Sequence, residues 1–218
     1  MVARGTHSLA LRACIDIVQP IERTTLIRGI IFDLDGTLVD SQLDFTAMRE
    51  EMQLDEGEPI LEAMEKLSEP RLSECRKILS RHEQQGVECS TKIAGVDEML
   101  AWIDQQGLRR AVVTRNSRRA ATAMVAKHNL HFDPLWTRED GPQKPDPWAI
   151  QETCRRWAVL PAEVVMVGDF RFDIESGQRA GSHTTYYRTV GDNDCGADYV
   201  LRSYVDCEHW YQWLLALD

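Results

Sequence analysis

The stretch L-I-R-G-I-I-F-D-L-D-G-T-L-V-D-S, residues 26–41, decides how the rest of the chain is read. Its first half, residues 26–32, is a short run rich in branched apolar side chains, which predicts a buried β-strand. The run stops abruptly at Asp33-Leu34-Asp35-Gly36-Thr37. Taken alone, Asp33 and Asp35 could be turn residues that cap the next element. The company they keep elsewhere in the chain decides against that reading.

Outward from this strand the pattern divides in two. Residues 41–93 show helical spacing and no strand: Phe45, Met48, Met52 and Leu54 fit one helix, Ile60, Leu61, Met64 and Leu67 a second, and Leu72, Cys75, Ile78 and Leu79 a third. Pro59 and Pro70 fall between them, where helices start or stop. This segment holds 12 acidic and 7 basic residues. After Gly95 the rhythm alternates. Helices are expected over 96–106, 118–129, 147–159, 174–180 and 203–217. Strands are expected over 110–114, 134–137, 163–168, 183–187 and 199–201. Alternation of this kind means a parallel sheet covered on both faces, so the expected fold is an α/β, Rossmann-like three-layer core with an inserted small helical domain. The expected division is an N-terminal extension over 1–25, a core built from 26–40 and 94–218, and a helical insert over 41–93.

Composition narrows the function. The chain has 218 residues, with 25 Lys and Arg against 35 Asp and Glu, for a net charge of −10. Hydrophobic residues make up 43% and charged residues 28%, which reads as globular. The acidic balance argues against broad contact with a nucleic-acid backbone. No apolar run approaches the ~18 residues of a membrane span. Six cysteines at 14, 75, 89, 154, 195 and 207 form no C-x-x-C pair and no zinc spacing, which reads as reduced thiols in a cytoplasmic protein. Residues 1–28 carry four Arg against Asp16 and Glu22, but Arg12 breaks the stretch Ser8–Ala13 and leaves no apolar region of useful length, so the start is read as an untargeted extension.

The polar residues at the strand ends form a coherent set. The first strand ends in Asp33 and Asp35, the second in Thr114, and the strand over 163–168 in Asp169 with Asp173 four residues on; Lys144 precedes a helix in Q-K-P-D-P. In open α/β sheets, ligands bind at the carboxyl ends of the strands near the switch point, so these groups converge on one crevice. Asp33, Asp169 and Asp173 repel one another unless a cation sits among them. Hard oxygen ligands suit Mg2+. The Thr114 hydroxyl and the Lys144 ammonium suit a phosphoryl group. No Ser-His-Asp or G-x-S-x-G arrangement is present, but a carboxylate can act as nucleophile by forming an acyl phosphate.

The motifs F-D-L-D-G-T-L-V-D-S (32–41), V-V-T-R-N-S (112–117), K-P-D-P (144–147) and V-G-D-F-R-F-D (167–173) resemble, in order, the four motifs of the haloacid dehalogenase-like superfamily in its phosphatase branch. The resemblance covers 26 to about 202. It implies a Rossmann-like core with a small helical cap inserted after the first motif, similar to that of phosphoglycolate-phosphatase-like members. It implies that Asp33 is the nucleophile and a metal ligand. Asp35 would be the general acid/base, its backbone carbonyl also binding the metal. Thr114 would hold the phosphoryl group and Lys144 would steady it. Asp169 would bind Mg2+ directly and Asp173 through water. One departure is that Arg115 follows Thr114 where many members carry Asn. Arg49, in the first helix of the insert, is the candidate for gripping a distal anionic group.

The expected function is therefore a Mg2+-dependent phosphatase acting on a small phosphorylated metabolite, with neither nucleic acid nor membrane as partner. Two other readings stand beside it. One is a sugar phosphomutase of the same superfamily, although Thr37 resembles the phosphatases. The other is a non-catalytic phosphoryl-binding protein. A dehalogenase or phosphonatase is disfavoured because those members lack an acid at the position of Asp35.

Overall fold

The computed structural model describes residues 27–187 and 194–217. The N-terminal extension expected over 1–25 lies outside them.

The central sheet has six strands, all paired in parallel. Strand β1 (Gly29–Phe32) sits in its middle. On one side lie β4 (Arg109–Val113) and β5 (Leu135–Trp136). On the other lie β6 (Val164–Gly168), β7 (His183–Tyr187) and β8 (Tyr199–Leu201). The order is β5-β4-β1-β6-β7-β8. The chain thus leaves β1 in one direction and later returns to build on its other edge, which makes the flanks of β1 the switch point.

Both faces of the sheet are covered, which is why β1 and β6 are near-continuous apolar runs, buried at every residue. Strand pleating sends alternate residues to opposite faces. Ile30, Phe32, Val112, Val165 and Val167 face α4 (Val96–Gln105), α5 (Arg118–Lys127) and α8 (Glu208–Ala216), in one core with Met99, Ile103, Met124 and Trp210. Ile31, Ala111, Val113, Val164 and Met166 face the other way, onto Ile150, Cys154 and Trp157 of α6 (Trp148–Trp157) and Ala180 of α7 (Arg171–Ala180). Trp136 and Trp148 meet edge to face at 5.3 Å against this second core.

Between β1 and α4 come three helices, α1 (Phe45–Met52), α2 (Ile60–Glu65) and α3 (Arg71–Cys89). They bury Met48, Met52, Ile60, Met64, Cys75, Ile78 and Leu79 in a core of their own. Asp44 caps α1 by accepting from the Thr46 and Ala47 N–H groups.

Three expectations need correction, and α3, which contains the four apolar positions expected of it, extends beyond them. The 41–93 segment is not strand-free: β3 (Thr91–Lys92) pairs antiparallel with β2 (Val39–Asp40), a two-residue ladder too short to show a period. Helix α3 runs to Cys89, ten residues past the last apolar position that marked it. Helix α7 starts at Arg171 rather than 174, because Asp173 bonds back to the Phe170 N–H and so belongs to the first turn. Helix α8 starts at Glu208 rather than 203. Among the described residues no helix is long and apolar enough to cross a membrane, and Cys75, Cys89, Cys154, Cys195 and Cys207 are free thiols.

Candidate active site

The carboxyl ends of β4, β1 and β6 lie side by side, and each delivers polar groups to one crevice. The β1–β6 ladder carries one residue past the strand, the Asp33 N–H donating to the Val167 carbonyl at 2.8 Å, so Asp33 is fixed by backbone. The chain then turns tightly: the Leu38 and Val39 N–H groups both return to the Leu34 carbonyl. Gly36 makes that turn possible. Its φ of +80° is left-handed, and a Cβ there would lie 2.2 Å from Asp169 Oδ2. Thr37 donates its hydroxyl to Asp169 Oδ1 at 3.2 Å, so the first motif holds the fourth. Gly168 makes the same kind of room, since a Cβ there would lie 2.2 Å from Asp173 Cγ.

Thr114 follows β4, is buried, and is fixed by its N–H to the Trp136 carbonyl at 2.9 Å. Its hydroxyl oxygen accepts from the Asn116 N–H at 3.2 Å. Lys144, in the loop before α6, is 4% exposed and lies between two carboxylates. Its Nζ is 2.6 Å from Asp173 Oδ1 and 2.8 Å from Asp33 Oδ1. Burial alone would push the ammonium down, but Asp173 and Asp33 outweigh it and raise its pKa, so Lys144 is a firm cation.

Asp33, Asp169 and Asp173 each offer an oxygen within 4.8 Å of the others. Burial, followed by the charges of Asp33, Asp173 and Asp35, pushes Asp169 up to about 8. Burial also raises Asp173, against the pull of Lys144. Three crowded, desolvated carboxylates whose repulsion a single ammonium relieves only in part form the donor set that a hard divalent cation requires, so the residues present fit such an ion. Both Asp173 oxygens are engaged, one by Lys144 and the other by the Phe170 N–H at 2.9 Å.

Asp35 stands apart from that cluster. Ser41 donates its hydroxyl to Asp35 Oδ2 at 2.6 Å and its N–H to Asp35 Oδ1 at 3.0 Å. Burial raises Asp35 to about 6, with the Ser41 bonds opposing and the charges of Asp33 and Asp40 adding to the rise. A carboxyl near 6 can both give and take a proton around neutrality.

All of the residues singled out in the sequence, Asp33, Asp35, Arg49, Thr114, Lys144, Asp169 and Asp173, line one cavity of about 810 Å³. Arg49 lies on its helical wall, donating to the Phe45 carbonyl at 3.1 Å and the Glu58 carbonyl at 3.2 Å. Sequence reasoning missed Ser41 as the partner of Asp35. It also missed two ion pairs that join the α1–α3 unit to the sheet side. Arg115, next to Thr114, meets both carboxylate oxygens of Glu62 at 2.7 Å. Glu83 on α3 takes the Ser117 hydroxyl at 2.6 Å and pairs with Arg138. Only the odd Arg after Thr114 hinted at the first, and nothing local announced the second.

The sequence profile of the haloacid dehalogenase-like hydrolases matches residues 30–186. The chain belongs to that family of enzymes. It is 31% identical over 206 residues to a haloacid dehalogenase-like hydrolase domain-containing protein of Arabidopsis thaliana, covering 88% of this chain and 84% of that one. It is 28% identical over 189 residues to an N-acetylmuramic acid 6-phosphate phosphatase of Pseudomonas aeruginosa, covering 74% and 82%. Among solved structures, the CbbY protein of Rhodobacter sphaeroides in complex with phosphate superposes with a TM-score of 0.64 at 18% identity, over 84% of this chain and 97% of that one; at that identity the likeness speaks to fold.

Proposed function

We propose that this chain is a Mg2+-dependent phosphatase that hydrolyses a small phosphate monoester through an aspartyl-phosphate on Asp33. The observation that carries the reading is the division of labour among the carboxylates. Asp33, Asp169 and Asp173 crowd around Lys144, while Asp35, two residues from Asp33, is held separately by Ser41 with a pKa near 6.

Asp33, Asp169 and the backbone carbonyl of Asp35 would hold the metal, with Asp173 acting through water, since its own oxygens already serve Lys144 and Phe170. The bound Mg2+ supplies positive charge against the phosphoryl oxygens. The chain's own residues do the rest. Thr114 and Lys144 orient the phosphoryl group and offset its charge. A carboxylate oxygen of Asp33 attacks phosphorus, and the bond to the leaving oxygen breaks. Asp35 hands its proton to that oxygen. The ionised Asp35 then takes a proton from water, whose oxygen attacks phosphorus and releases Asp33 and inorganic phosphate. The segment over 41–93 serves as the cap, its α1–α3 wall excluding water from the phosphoryl group and Arg49 facing the leaving group.

A phosphate-release screen over a panel of phosphorylated metabolites, with Mg2+ and with a chelator, tests this. Release that needs the metal is the expected result; a panel without any release contradicts it.

A further inference from the structure

Four arginines line the cavity, and they are not equivalent. Arg115 and Arg138 are matched by Glu62 and Glu83. Arg49 uses two of its donors on carbonyls of its own helical wall. Arg171 differs from all three. It opens α7 between Phe170 and Phe172, and among the described residues its side chain makes neither an ion pair nor a hydrogen bond, whereas Arg49, also without a carboxylate, makes two hydrogen bonds; its contact is the Phe172 ring, whose centroid lies 4.9 Å from its Cζ.

The Phe172 ring serves a second guanidinium as well, with Arg115 Cζ also 4.9 Å from its centroid. The two cations are therefore no more than about 10 Å apart on one aromatic support. Glu62 neutralises only one of them. The Nε of Arg115 is fully buried and has no hydrogen-bond partner. Phe170 stands edge-on to Phe172 at 5.1 Å and is 47% exposed; Phe45, 51% exposed, lines the same cavity from α1. Asp33 and Asp173 thus pair with Lys144, while Arg171, at the first turn of α7, keeps an unmatched guanidinium on an aromatic support in the same cavity. Arg171 is itself exposed and open to an incoming ligand, and a guanidinium fits carboxylate and phosphate oxygens alike.

We infer that Arg171, packed on Phe172, is a specificity-determining residue that receives a second anionic group on the leaving side of the phosphate ester. The inference rests on the phosphatase reading and names its substrate class: monoesters that also carry a carboxylate or a second phosphoryl group. Arg115, neutralised by Glu62, stiffens the platform.

The test uses the full chain with Mg2+ and four substrates. Propyl phosphate, 3-(phosphonooxy)propanoate and propane-1,3-diyl bisphosphate differ only in the distal group, and p-nitrophenyl phosphate reports the phosphoryl end alone. The native enzyme should favour at least one charged ester over propyl phosphate by about tenfold or more in kcat/KM, and the preferred ester tells carboxylate from phosphoryl. In Arg171→Gln that preference should collapse, through KM, with kcat/KM for the charged ester falling about tenfold more than for p-nitrophenyl phosphate. Arg171→Lys should recover part of it. Aryl phosphate hydrolysis without any preference for the charged esters, or an equal loss on all four substrates in Arg171→Gln, overturns the subsite alone. A native enzyme that hydrolyses none of the four overturns the phosphatase reading and the subsite with it.

Discussion

Ser41 holds Asp35 with two hydrogen bonds, one from its hydroxyl at 2.6 Å and one from its backbone N–H at 3.0 Å, so both carboxylate oxygens are fixed by one residue at the start of the helical insert. Both bonds favour the ionised carboxylate and oppose the burial that raises it to about 6. Ser41→Ala removes the hydroxyl bond and leaves the N–H bond. The Asp35 pKa should therefore rise. In the proposed mechanism Asp35 is protonated when the leaving oxygen departs, so the fall of kcat/KM toward alkaline pH should move to higher pH. A pH–rate profile of the variant reads this; an unmoved limb contradicts the role of Ser41.

Asp35 itself is tested through the leaving group. An alkoxide leaves poorly without a proton, whereas p-nitrophenolate leaves well. Asp35→Asn should lower phosphate release from an alkyl phosphate by about 10² to 10⁴, and lower formation of the phosphoryl-enzyme from p-nitrophenyl phosphate far less, as measured by the nitrophenol burst. Equal losses on the two substrates would remove Asp35 from the acid role.

Gly36 is predicted to be intolerant of a side chain. Its φ is +80°, and a Cβ would meet Asp169 Oδ2 at 2.2 Å. Gly36→Ala should cost about 1–2 kcal/mol from the backbone alone, and more from displacing Asp169. Thermal unfolding should show the loss of stability, and a Mg2+ titration should show weakened binding.

The carboxylate cluster links stability to pH. Asp169 is raised from 3.8 to about 8 by burial and by Asp33, Asp173 and Asp35. A carboxyl that ionises more easily in the unfolded chain than in the folded one favours folding at low pH. That contribution is lost progressively as pH rises from about 4 to about 8. The metal-free protein should therefore lose stability across that window, and Mg2+, if it binds as proposed and offsets the repulsion, should raise Tm more at pH 8 than at pH 5.5. Asp169→Asn should flatten both effects. A Tm gain independent of pH would contradict the arrangement.

Much of this site was legible in the sequence because its residues sit where apolar strands stop. Asp33, Thr114 and Asp169 each follow a run that the parallel sheet buries on both faces, and the switch from apolar to polar marks the strand end. Asp173 was legible as a residue but not as a position: F-R-F-D carries no helical period, and only the bond to the Phe170 N–H shows that α7 has begun. Two-residue strands such as β2 and β3 lie below any period. Arg115 and Glu62 are 53 residues apart, and the pairing exists only once α2 has packed over the loop after β4. Long-range polar contacts of that kind depend on tertiary placement and leave no local trace.

The central claim is that Asp33 takes the phosphoryl group, and phosphate release by Asp33→Asn beside the native enzyme tests it most directly. The measurement uses p-nitrophenyl phosphate with Mg2+, after circular dichroism has shown both proteins folded. The account predicts turnover by the native enzyme and a loss of about 10³ or more in the variant, because an amide cannot form the acyl phosphate. Turnover by folded Asp33→Asn within about tenfold of the native rate would contradict it.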